Sequence, residues 1–197
     1  MGLVPQVRLF NKPRYQKVRE KWCAGMFGMG YMKFIRPCHV AVNDTEDRAD
    51  ADFFMRSDGR EYAFQLVEAI EPKRRRGDEY KARASDRLHS LPYEPEKGHV
   101  EGPTWIASRI EQKAAKNYAG AAHLNLLVYA NFAARGLQHR SVVDAAAKFQ
   151  AAFASIWVLT SLHLASLFVA NDLGRLDDWS EIQTVEEYDR LVRKRRD

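Results

Sequence analysis

Asp52 and Gln65 lie on either side of Ser57-Asp58-Gly59-Arg60, and an Asp-Gly pair between two strand-like runs is a strong short-range hairpin signal. If Asp58-Gly59 is the turn, Ser57 pairs with Arg60, Arg56 with Glu61, Phe53 with Phe64 and Asp52 with Gln65. Directly opposed residues share a face, so Asp52 and Gln65 point the same way, with Val67 two residues further along that face. A carboxylate and an amide oxygen so placed are hard oxygen donors for Mg²⁺ or Mn²⁺, ions that activate a water and neutralise charge building on a phosphate. Glu68 is a further acid near the site, although alternation sends it to the opposite face from Gln65 unless the strand ends or bulges there. His123 and His163 are isolated, lacking a second ligand at i+4.

The elements that must hold these groups follow from periodicity and punctuation. Pro13 precedes a helix over about 15–26 with Val18, Trp22 and Met26 spaced by four as its buried stripe; Glu20 lies off that stripe and reads as surface. Gly28-Met29-Gly30 reads as a break, and Tyr31 to Asn43 as a strand made irregular by Pro37. The hairpin strands follow over 52–56 and 61–67. From about 71 to 104 apolar periodicity is lost and prolines accumulate, giving a long basic excursion with a short helix around 79–88. Thr104 can cap a helix over 105–118, with Ile106, Ile110 and Ala114 on one face and Lys113 and Lys116 nearby. Leu124 to Tyr129 suits a buried central strand, 142–154 an alanine-rich helix, 155–160 a core strand, and 162–170 its hairpin partner. A charged helix over about 184–197 ends the chain.

The expected fold class is therefore α/β (α+β), a mixed central sheet flanked by helices, in one domain over 1–197. This order of elements resembles the core of the PD-(D/E)XK, or restriction-endonuclease-like, nuclease superfamily. The resemblance is carried by Asp52-Phe53, the strand Ala63-Phe64-Gln65-Leu66-Val67-Glu68-Ala69, the helix Ile110-x-x-Lys113-x-x-Lys116-x-Tyr118, and Leu126-Leu127-Val128-Tyr129-Ala130-Asn131, over roughly residues 15–131. In that pattern the positions of Asp52, Gln65 and Val67 hold an aspartate, a second acid and a lysine. The resemblance thus implies a metal-dependent nuclease acting on DNA, with Gln65 weakening the metal site, Val67 losing the lysine, Lys113 restoring its charge and Glu20 matching a glutamate that relatives often carry.

With 31 Lys and Arg against 26 Asp and Glu, a net charge of +5 and a pI near 9.2, the chain suits an anionic partner. Lys73, Arg74, Arg75, Arg76, Lys81 and Arg83, together with Lys116, are the candidate phosphate contacts. Cys23 and Cys38 show no CxxC spacing and read as reduced structural thiols, and no run approaches the roughly 18 apolar residues of a membrane span. A cytoplasmic location without membrane association is the expectation. Two rivals to the enzyme remain: an inert nuclease-fold protein that binds nucleic acid or a protein partner, and an oligomeric protein such as a homodimer packed through the small residues of 142–154.

Overall fold

The computed structural model describes residues 16–44, 50–72, 95–116, 123–134, 136–184 and 186–187. Seven strands form one mixed sheet in sequence order: β1 His39–Val42, β2 Phe53–Ser57, β3 Arg60–Ala69, β4 Asn125–Ala130, β5 Ser155–Leu159, β6 His163–Val169 and β7 Ser180–Glu181. β3, β4 and β5 run parallel, and every other neighbouring pair is antiparallel. Among the described residues three helices cover the sheet: α1 Gln16–Phe34, α2 Pro95–Ala114 and α3 His139–Ala146, the last followed by a 3-10 turn over Ala147–Phe149. The mixed sheet flanked by helices is the fold class expected from sequence.

The hairpin forms in the expected register, from Phe53 opposite Phe64 to Ser57 opposite Arg60. Its turn requires positive φ at both central residues, and Asp58 and Gly59 take φ 49° and 72°. The Phe53 and Phe64 rings then stack with centroids 4.7 Å apart. Asp52 precedes the first ladder pair.

Helix α1 departs from the sequence reading in length and in phase. It runs unbroken through Gly28-Met29-Gly30 to Phe34, so the strand expected over 31–43 shrinks to His39–Val42. Those glycines serve close packing: a Cβ at Gly28 would sit 3.1 Å from the Val40 side chain, and one at Gly30 2.9 Å from Leu164. The buried stripe is Glu20, Cys23, Ala24, Phe27 and Tyr31, with Met26 also buried as expected, whereas Val18 is exposed and Trp22 only partly buried. This phase carries Glu20 into the interior, correcting its reading as surface.

The two cores sit on opposite faces. Beneath α1, Phe27, Tyr31, Phe53, Met55, Phe64, Leu127 and Trp157 interlock, and Tyr31 Oη donates to Leu173 O at 2.6 Å. Under α2 and α3, Ile106, Ile110, Leu126, Val128, Val142, Ile156 and Val158 form the second core. α2 begins about ten residues earlier than expected and carries Pro103 within it, and Gly98 and Gly102 let its first turns press against Ala133 and Phe132. The alanine-rich helix is shorter than expected: α3 ends at Ala146, and irregular chain leads from the 3-10 turn into β5. The basic run Lys73 to Arg76, Lys81, Arg83, the helix expected at 79–88 and the tail from 188 lie outside the described residues. No helix among the described residues is long and apolar enough to cross a membrane.

Candidate functional site

Asp52 is held by backbone on both sides. Asn43 N–H donates to Asp52 O at 2.9 Å, and Asp52 N–H donates to Phe64 O at 2.8 Å. The Asp52 side chain then takes the place of a further strand residue, since Leu66 N–H donates to its Oδ2 at 2.6 Å. A charge-assisted bond of this kind fixes the carboxylate beside Gln65.

Gln65 is buried and bonded at both ends of its amide: Nε2 donates to Asp50 O, and Oε1 accepts from Lys113 Nζ. Lys113 reaches Gln65 because α2 lays Ile106 and Ile110 on this face of the sheet, and a residue three beyond Ile110 falls on the same side. The same ammonium acts on the Asp52 carboxylate. Asp52, Gln65 and Lys113 therefore converge.

Glu20 enters from α1. It is 4% exposed, and its Oε2 lies 3.2 Å from Lys17 Nζ, which also donates to Asn43 O at 2.6 Å. Burial pushes the Asp52 carboxyl above its usual range, the Glu20 carboxylate pushes it the same way, and the Leu66 N–H, Lys113 and Lys17 pull against them without winning. Glu20 and Lys17 from α1 and Lys113 from α2 thus act together on one carboxyl, that of Asp52 just before β2.

The other sequence candidates lie apart or add little. Glu68 alternates to the α1 side with Leu66, as expected, and its Oε1 accepts from Asn131 Nδ2 at 2.6 Å. Val67 packs against the core beneath α2, so the position of the expected lysine is apolar. Lys116 is exposed in the turn that closes α2. Lys17 and Asn43 were missed by sequence reasoning; the available signal was the opposite-charge i,i+3 pair of Lys17 and Glu20 on a helix.

The chain matches no protein-family model, no curated protein and no solved structure. The Asp52 and Glu20 carboxylates and the Gln65 amide oxygen are hard oxygen donors, the ligand class that Mg²⁺ and Mn²⁺ take, although the Gln65 oxygen already accepts from Lys113. Among the described residues, no group of three or more His, Cys, Asp or Glu side chains is arranged to hold a metal. A cation here would complete its shell with water, as Mg²⁺ usually does.

The raised Asp52 pKa carries a stability signature. An acid whose pKa is higher folded than unfolded contributes stability fully below the unfolded value, near 3.8, and loses it as pH rises through the folded value. Asp52→Asn removes the buried charge yet can still accept from Leu66 N–H. The variant is expected to melt higher than the wild type at pH 7, by on the order of a few degrees, with the gap closing as pH falls toward 4. Thermal melts at both pH values check this; an Asn variant that melts lower at pH 7 contradicts it.

Proposed function

We propose that this protein is a metal-dependent nuclease-like enzyme of the restriction-endonuclease-like kind, acting on DNA as a phosphodiesterase. What supports the reading is the convergence of Asp52, Gln65 and Lys113, joined by Glu20, at the opening of the hairpin. The order α1, β1, hairpin, α2, β4, with β3 and β4 parallel, agrees with that core. Asp52 and Glu20 would hold Mg²⁺ or Mn²⁺ with Gln65 as a neutral ligand. The bound ion would supply charge neutralisation at the phosphate and an activated water. Lys113 brings positive charge to the reacting phosphate on the α2 side, and Asn43 keeps Asp52 in register through the backbone.

The test is cleavage of labelled linear DNA in Mn²⁺, in Mg²⁺ and in a chelator. Slow cleavage, faster in Mn²⁺, is expected, because Mn²⁺ tolerates less ideal ligand sets.

A second reading has its own observation. The Gln65 oxygen that would face a cation accepts instead from the Lys113 ammonium, and Val67 is apolar, which suits an inert relic that binds nucleic acid without cutting it. Inactivity of the folded wild type in every metal would favour that relic. Both readings place a phosphate-contacting role on the basic segment of 73–83. Duplex affinity should fall steeply with salt through counterion release, and fall further when Arg74, Arg75 and Arg76 are changed to Ala. Titrating a labelled duplex at two salt concentrations checks it; unchanged binding in the triple variant would sink the idea.

A further inference from the structure

Lys17 stands in the first turn of α1, which covers the face of the sheet opposite that covered by α2 and its Lys113. Its Nζ lies 3.2 Å from Glu20 Oε2 and donates to Asn43 O at 2.6 Å, the same Asn43 whose N–H holds the Asp52 backbone. We propose that Lys17 is a resident counter-ion of the acidic pair, competing with the divalent cation for it and freed to meet a substrate phosphate when that cation binds. This rests on the metal-dependent reading above and adds to it a residue with two opposed effects.

The grounds are charge and exposure. With Asp52 ionised, Glu20 and Asp52 carry two negative charges, which Lys17 and Lys113 balance. A divalent cation arriving among them finds the same carboxylates already compensated and meets two ammonium groups of its own sign. One of the four groups is built to leave. The Lys17 side chain is 53% exposed, whereas that of Glu20 is 6% exposed, so the lysine can swing outward on its four-carbon stem while the carboxylate stays. Departure breaks an ion pair that is exposed only at its lysine end and one part-buried bond to a carbonyl. It also uncovers the buried Glu20 carboxylate, whose charge the arriving cation would then compensate. Lys113, by contrast, is tied to the buried Gln65 amide. Lys17 also acts on Asp52, so its removal is felt by both acids.

The experiment measures Mn²⁺ binding to the full chain without nucleic acid, by the paramagnetic signal of free Mn²⁺, for the wild type, Lys17→Gln, Lys17→Met and Lys21→Gln. Gln retains an N–H donor for Asn43 O without the charge, Met retains the apolar stem should Gln disturb the helix, and Lys21 is an exposed lysine of the same helix that controls for net charge. Circular dichroism establishes that each variant is folded. Lys17→Gln and Lys17→Met should bind Mn²⁺ about tenfold more tightly than the wild type, and Lys21→Gln within about twofold, because an exposed charge is screened. The same Lys17 variants should bind a DNA duplex in Mn²⁺ less tightly than the wild type. Wild-type Mn²⁺ binding that is unchanged or weakened in the Lys17 variants overturns the inference and leaves the metal-dependent reading standing. Equal tightening in Lys21→Gln also overturns it, and Mn²⁺ binding by none of the four proteins overturns both.

Discussion

Asp52→Ala is expected to reduce Mn²⁺-stimulated DNA cleavage to the level of a protein-free blank. Asp52 brings a full negative charge to the proposed cation site, where Gln65 offers only a dipole, and no third His, Cys, Asp or Glu joins the cluster among the described residues. Asp52→Asn separates causes: it keeps an acceptor for Leu66 N–H, so loss of activity in a variant expected to be more heat-stable at pH 7 assigns the effect to charge and not to folding. Lys113→Ala should retain the fold and lose roughly 10²–10³-fold in rate, the scale of removing one pre-placed charge from a transition state. Cleavage that survives Asp52→Ala would point to a contaminating nuclease or to a different site. Quantitative gel assays over several metal concentrations decide among these outcomes.

Phe27→Ala should produce the largest loss of stability among single substitutions on α1. Phe27 is fully buried, with the Phe64 ring centroid 4.9 Å away, Trp157 5.5 Å, and Tyr31 and Phe53 5.9 Å. Truncating such a residue costs about 3–5 kcal/mol, transfer and cavity terms together. For a chain of this size the expected fall in Tm is roughly 6–20 °C. Urea unfolding of the two proteins measures it directly, and a loss below about 1 kcal/mol would mean that α1 is not seated on the sheet through this ring. Phe27 and Glu20 share one helical stripe, so the variant should also weaken Mn²⁺ binding where it remains folded.

The hairpin was legible because its information is local. Asp58-Gly59 meets a backbone demand that few residue pairs meet, and strict alternation carries that register back to Phe53 opposite Phe64. The runs at β4 and β5 were legible because a strand buried on both faces needs only apolar side chains. Helix α1 was misread for a reason equally physical. A glycine that breaks a helix and one that lets it approach a sheet look alike in sequence, and only Val40 and Leu164 show that Gly28 and Gly30 are of the second kind. Stopping the helix at Met26 hid Phe27 and Tyr31, and without them its apolar stripe was phased on Val18, Trp22 and Met26, of which only Met26 is buried, leaving Glu20 outside.

By itself, the sequence determined the turn, the register of β2 on β3 and the mixed α and β composition, since each depends on neighbours a few positions away; the expected ladder pair of Asp52 with Gln65 lies beyond the first pair that forms, Phe53 with Phe64. Tertiary structure decided that Lys113 meets Gln65, that Glu20 is buried, that Lys17 bridges Glu20 and Asn43, and that Asp52 gathers these charges around a carboxyl pushed upward by burial. Those contacts join residues from both faces of the sheet and from helices whose phase is set by what they pack against. Desolvation and Coulomb coupling depend on distances in space, which periodicity along the chain does not encode.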